Sequence, residues 1–173
     1  MKISVDNLRK SIDNLKCGDR ILLSGVVYTA RDAAHQRIFS LLENGTSLPF
    51  SINNSVIYYA GPTQTPPNMS IGSCGPTTSS RMDKFAPKLF DMGMCATIGK
   101  GPRSEKVRQA IIRNHGIYLC ALGGGGALAS KCITKCDVIA FDDLGCESIK
   151  KIVLEDFPLI VGIDSKGNSI FKF

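Results

Sequence analysis

A chain of 173 residues that is 43% hydrophobic and 21% charged can bury a sizeable core and is too apolar for wholesale disorder. Its net charge of +6, from 21 Lys and Arg against 15 Asp and Glu, suits an anionic ligand or an acidic partner. No dense Lys/Arg run and no tryptophan accompany that charge, which argues against nucleic-acid binding.

No uninterrupted apolar run approaches the roughly 20 residues that span a bilayer. The opening MKISVDNLRKSIDNL has no apolar signal-peptide core. Seven cysteines, at 17, 74, 95, 120, 132, 136 and 146, are odd in number and irregular in spacing. They read as reduced thiols rather than a disulfide framework, and a cytoplasmic location is expected.

Residues 6–15 predict a short amphipathic helix with Leu8, Ile12 and Leu15 on one side. Cys17-Gly18-Asp19 turns the chain into a strand from Arg20 to Val27, and a helix then runs from Arg31 or Asp32 to the Asn44-Gly45 stop. Ser55–Ala60 is rich in β-branched and aromatic residues and reads as a buried strand. Residues 61–76, rich in Pro, Gly and Ser, form a loop long enough to suggest function. A helix is expected from about Thr78 to Asp91, a strand over Cys95–Ile98, a helix over Ser104–Asn114 and a strand over Ile117–Leu122. A further helix follows Gly126 towards Thr134, and Val138–Phe141 reads as a strand. Pro158–Ile163 and Ser169–Phe173 flank a hairpin-like turn at residues 165–168. This alternation predicts one α/β domain over residues 1–173 with a mixed sheet.

Three junctions share a chemistry. At each of Thr29-Ala30-Arg31-Asp32, Gly75-Pro76-Thr77-Thr78 with Arg81, and Gly99-Lys100-Gly101, a strand is expected to end, a loop rich in Gly, Thr and cationic side chains to follow, and a helix to begin. In open α/β sheets ligands gather at the carboxyl ends of strands, where helix N-termini favour anions. Arg31, Arg81 and Lys100 together suit a small dianion. Each junction alone has a plainer reading: a surface Arg31–Asp32 pair, an N-cap at Thr77 or Thr78, an exposed turn at Lys100. His35 follows Arg31 at i+4, so it is either a general acid/base or a structural histidine. His115 reads as a helix-terminal residue. The run Gly123-Gly124-Gly125-Gly126 lacks both the Walker ending and the third glycine of a dinucleotide fingerprint, so close packing of a helix on the sheet, or backbone approach to a ligand, is the expectation. Cys132 and Cys136, four apart on an expected helix, do not make a closed metal site, and no metal is expected on this chain.

The stretches LSGVVYTARDAAHQR (23–37), YYAGP (58–62), IGSCGPTTSSRMD (71–83), IGKG (98–101) and FPLIVGIDSKGN (157–168) resemble, in order, the beta subunit of class I fumarate hydratase and L-tartrate dehydratase. The same sequence type forms the C-terminal domain of single-chain class I fumarases. The resemblance implies a swivelling β/β/α domain within a heteromer, as a heterodimer or an α2β2 assembly. It implies an alpha subunit holding a [4Fe–4S] cluster whose open iron is a Lewis acid. It further implies that Arg31, Arg81 and Lys100 bind substrate carboxylates or hydroxyl, with Asp32 in the same block. Thr77 is then the proposed base, assisted by a hydrogen bond from Thr78, and His35 a further acid/base residue.

The expected activity is reversible dehydration of L-malate to fumarate. L-tartrate dehydration to oxaloacetate is the alternative substrate reading, and a non-catalytic anion-binding module the alternative class.

Overall fold

The computed structural model describes residues 1–68, 71–121 and 125–171. Strand β1 (Lys2–Ser4) leads into helix α1 (Val5–Ser11), then β2 (Arg20–Thr29) and α2 (Asp32–Glu43). β3 (Val56–Tyr58), α3 (Ala86–Asp91), β4 (Ala96–Gly99), α4 (Glu105–Arg113) and β5 (Ile117–Cys120) follow. The last elements are α5 (Gly126–Lys131), β6 (Ile133–Ala140) and the long β7 (Ile149–Ile163).

The seven strands form one mixed sheet in the order β1-β2-β3-β4-β5-β7-β6. Neighbours from β1 through β5 are parallel, whereas β7 runs antiparallel to β2, β5 and β6. Because β7 pairs with β2 as well as β5, the sheet closes on itself into a barrel-like arrangement.

Strand side chains alternate between two faces, and this divides the core in two. Val56, Tyr58, Ala96, Ile98, Ile117 and Leu119 point inward to a cluster that includes Leu23 and Leu159. Leu8, Ile12 and Leu15, the predicted apolar face of the first helical segment, pack into the same cluster. Ile57, Tyr59 and Tyr118 point outward to a second cluster. There they meet Ala34 and Ile38 of α2, Leu89 and Phe90 of α3, and Val107, Ala110 and Ile111 of α4.

Strand β7 changes phase along its length. Ile152 and Leu154 face inward, but so do Phe157, Leu159 and Val161, at odd positions. The register moves from Gly25↔Leu154 to Leu23↔Phe157, so two residues of β7 oppose Ser24 alone. Asp156 takes a positive φ of 49° there, and its backbone N–H donates to Ser24 Oγ at 2.9 Å. This bulge lets one strand line the barrel on both sides of the irregularity. It also hides the strand from a period-two reading, which finds only Pro158–Ile163 of it.

Two expected helices are shorter. The segment from Thr78 to Asp91 is a 3-10 turn at Ser79–Met82 followed, after a break, by α3. Pro87, in the first turn of α3, has no N–H to continue a helix arriving from residue 83. Helix α5 stops at Lys131, because β-branched Ile133 and Thr134 already belong to β6. Cys132 and Cys136 therefore do not share a helix: Cys132 ends α5, and Cys136 lies in β6 opposite Ile152.

Of the glycine run, residues 123 and 124 lie outside the described residues. At Gly126 a Cβ would overlap Ser73 Oγ, and the Gly126 carbonyl accepts the Cys74 N–H at 3.1 Å. Close loop-to-helix packing requires glycine at that position. No helix of the described residues is long and apolar enough to cross a membrane.

Gly99 is the tightest approach beside the candidate site, since a Cβ there would overlap Ser79 Oγ and press on Tyr59. Gly99→Ala is expected to lower stability by about 1–3 kcal/mol through overpacking, read as a reduced urea midpoint.

Candidate functional site

Parallel strands β2, β3 and β4 are neighbours, so their carboxyl ends share one edge of the sheet. Arg31 follows β2 in extended backbone, with φ −120° and ψ −159°, at the N-cap of α2. Lys100 follows β4 directly.

The Thr77–Ser79 stretch inserts between the ends of β3 and β4. Thr77 N–H donates to the Tyr59 carbonyl at 2.6 Å, Thr78 bridges Lys100 in parallel fashion, and Ser79 N–H donates to the Lys100 carbonyl at 2.9 Å. Arg81, on the turn that follows, reaches back to α2. Its Nε and Nη2 meet the two oxygens of Asp32 at 3.1 and 2.8 Å. The three junctions of the sequence thus converge.

The cations differ in how tightly they are held. Arg81 is half exposed, and an ion pair in that setting is worth about 0–1 kcal/mol, so Asp32 orients Arg81 without locking it. Arg31 lies over Gly61, where a Cβ would stand 2.8 Å from Nη1. Its buried Nε has no hydrogen bond, and its nearest acid is Glu147 at 3.8 Å. Lys100 is partly buried and has no ion pair among the described residues. Thr77 is partly buried and Thr78 exposed.

His35 occupies a different place. Its ring is fully buried between Tyr59 and Phe85, with centroids 5.6 and 5.4 Å away. Nδ1 stands 2.7 Å from the Arg31 carbonyl, which can only accept, so the neutral ring carries its proton on Nδ1. Nε2 is buried without a partner. Burial pushes the ring down to about 4, which keeps it neutral at physiological pH. His115 sits at the end of α4 with a positive φ of 47° and faces Asp13 at 3.3 Å, away from these groups.

Sequence reasoning missed the support beneath the site. Arg103, only 3% exposed, donates from Nε to Asp83 at 2.7 Å, from Nη1 to Thr97 Oγ1 at 3.0 Å and from Nη2 to Tyr59 Oη at 3.3 Å. It also stacks near the faces of Tyr59 and Tyr118. Tyr118 Oη in turn lies 2.9 Å from Ser79 Oγ and donates to the Gly101 carbonyl at 2.8 Å. The second Asp83 oxygen accepts the Ser104 N–H at 2.6 Å and so caps α4 from outside the helix. The only signals were Asp83 closing the GPTTSSRMD block and Arg103 two residues beyond IGKG, and neither has a periodicity that marks it as buried.

Among the described residues, no three His, Cys, Asp or Glu side chains are grouped so as to hold a metal ion. Cys74, Cys95 and Cys120 are pushed up by burial, to about 12, 11 and 11, and stay protonated at neutral pH. Among the described residues, the thiols are not gathered into the ligand set that an iron–sulfur cluster requires.

Comparison with known proteins agrees with the geometry. A family model described as Fumarase C-terminus matches residues 1–173. The chain belongs to that family. It is 39% identical over 175 residues to Fumarate hydratase 2 of Leishmania major, covering 99% of this chain and 31% of that protein. It is 39% identical over 155 residues to the aerobic class I fumarate hydratase of Escherichia coli K12, covering 88% of this chain and 28% of the relative. A Methanocaldococcus jannaschii protein named "Putative L(+)-tartrate dehydratase subunit beta" is 38% identical over 170 residues, covering 95% of this chain and 87% of that one. The chain therefore spans about three-tenths of the length of the fumarate hydratases it matches, and most of the length of the tartrate dehydratase subunit.

Two outcomes follow for this Fumarase C-terminus chain. Asp83→Ala leaves the Arg103 guanidinium buried without its carboxylate and is expected to cost about 3 kcal/mol in denaturant unfolding. For His35, the folded value lies below the unfolded 6.5, so the unfolded chain takes up the proton first as pH falls. Its contribution is complete above pH 6.5 and is lost between there and about pH 4, by about 3 kcal/mol. Unfolding free energies across that window should fall less steeply in His35→Gln than in the wild type.

Proposed function

We propose that this chain is the beta subunit of an iron–sulfur hydro-lyase that reversibly dehydrates L-malate to fumarate. The observation that carries the reading is the convergence of Arg31, Thr77, Thr78, Arg81 and Lys100 on one sheet edge in a member of the Fumarase C-terminus family. The alpha subunit is the proposed carrier of a [4Fe–4S] cluster, in a heterodimer or an α2β2 assembly of the cytoplasm. The chain is proposed to act as one swivelling β/β/α domain that brings its sheet edge to that subunit. When bound there, the cluster would supply a Lewis acid for the departing hydroxyl oxygen.

This chain's own residues supply charge and orientation. Dehydration removes a proton from the carbon beside a carboxylate, and negative charge develops on that carboxylate in the transition state. Arg31, Arg81 and Lys100 would hold the two carboxylates and stabilise that charge, the more strongly once a partner surface covers the half-exposed Arg81. Asp32 holds Arg81 through one hydrogen bond, from Nε, and an ion-pair contact at Nη2, ready to be exchanged for a substrate oxygen. Thr77 is the proposed base, and its backbone is fixed by the Tyr59 carbonyl. A threonine hydroxyl is a weak base, so it requires a proton relay from the alpha subunit, and the chain alone is expected to be inactive. Thr78 would assist by a hydrogen bond to the substrate. We assign His35 a supporting part: its buried ring grips the Arg31 carbonyl and fixes the start of α2.

A second reading, L-tartrate to oxaloacetate, is favoured by the Methanocaldococcus relative, which has the more similar length. The two are separated by anaerobic co-expression with the candidate alpha subunit and absorbance assays on L-malate and L-tartrate side by side. Malate turnover that needs both chains and iron supports the first reading, tartrate dominance supports the second, and activity on neither with an intact cluster overturns both. In the active complex, Arg81→Ala is expected to lower kcat/KM by about 10- to 100-fold, the scale of hydrogen bonds to a charged group. Thr77→Val should keep malate binding and abolish elimination, as read by calorimetry beside the rate assay.

A further inference from the structure

The segment between β6 and β7 holds groups that the proposed chemistry does not use. Lys150, buried at the start of β7, has no ion pair among the described residues. Its ammonium donates to the carbonyls of Gly145, Cys146 and Ser148 at 3.1, 3.3 and 3.4 Å and to Ser148 Oγ at 2.6 Å. Its backbone N–H donates to Thr29 Oγ1 at 3.1 Å, two residues before Arg31. The other end of the segment is also fastened: Arg37 of α2 grips Asp143 with two bonds of 3.0 and 2.8 Å and lies over the Phe141 ring. Between these two fasteners stands Glu147. Its Oε1 accepts the Ala33 N–H at 3.3 Å and lies 3.8 Å from Arg31 Nε.

We propose that Glu147 is a positioning residue for Arg31: held by Lys150 and by the Arg37–Asp143 pair, its carboxylate stands 3.8 Å from Nε, too far for a hydrogen bond, and orients the guanidinium by charge, leaving the terminal nitrogens to bind a substrate carboxylate. The inference rests on the hydro-lyase reading for the identity of that carboxylate. The geometry favours a fixed bracket over a displaceable gate, because the segment is tied at both ends and Ser148 is buried. Glu147 also occupies the α2 N-terminus through Ala33, so the same carboxylate sets both the helix start and the arginine.

Glu147→Gln keeps an oxygen for the Ala33 N–H and removes the charge that faces Arg31. In the complex with the alpha subunit, the variant is expected to raise KM for L-malate about tenfold with kcat within about twofold, the signature of weakened substrate binding by a displaced Arg31. On the full chain by NMR, the Arg31 Nε–H resonance, assigned by its loss in Arg31→Lys, is expected to shift in Glu147→Gln and again in Lys150→Met. An unmoved Arg31 resonance in Glu147→Gln overturns the proposal, and so does a shifted resonance with unchanged KM. A wild-type complex that turns over neither malate nor tartrate overturns the hydro-lyase reading instead. The Arg31 resonance then still decides whether Glu147 holds the guanidinium.

Discussion

The candidate site depends on a buried cation that belongs to no catalytic motif. Arg103 lies beneath the sheet edge and joins Asp83, Thr97 and Tyr59, which come from three separate segments. Tyr59 gives its carbonyl to Thr77, and Tyr118, whose ring also faces Arg103, reaches Ser79 and Gly101 on either side of the Thr78–Lys100 bridge. A guanidinium withdrawn from water requires several acceptors in fixed directions, and a partly satisfied set would be worse than an apolar core. The geometry of Thr77, Thr78 and Lys100 is thereby inherited from a network centred on a buried guanidinium.

The closed sheet supplies the frame for that network. Inward side chains fill the barrel and outward ones meet α2, α3 and α4, so each of β3, β4 and β5 is buried on both faces. Parallel neighbours place the ends of β2, β3 and β4 side by side, which is what brings three distant cationic segments together. The antiparallel β7 closes the barrel and, through the turn before it, delivers Glu147 to Arg31. Closure and site are linked through Lys150, whose backbone belongs to the ladder with β2 and whose ammonium holds the turn.

Much of this was legible in the residues. Leu8, Ile12 and Leu15 announced their shared face, Asn44-Gly45 the end of α2, and the run from Ser55 to Ala60 the buried strand. The ordered stretches at 23–37, 58–62, 71–83, 98–101 and 157–168 carried the resemblance to the family. What escaped was non-local. The bulge opposite Ser24 breaks the alternation of β7, and two charged residues, Glu155 and Asp156, sit where a period-two reading expects a face. The burial of Arg103 and Lys150 follows from partners 20 residues away in one case and from main-chain carbonyls in the other, and neither leaves a trace in spacing. At His35 spacing left an acid/base and a structural reading open: i+4 placed it beside Arg31, and its buried ring bonds the Arg31 carbonyl.

The central claim is that Arg31, Arg81 and Lys100 hold one dicarboxylate between them. Its most direct test is an anaerobic crystal structure of the chain assembled with its alpha subunit and soaked with L-malate. The account predicts carboxylate oxygens within hydrogen-bonding distance of all three cations and a carbon of the substrate next to Thr77. A dicarboxylate bound elsewhere, or held without at least two of those cations, would contradict it.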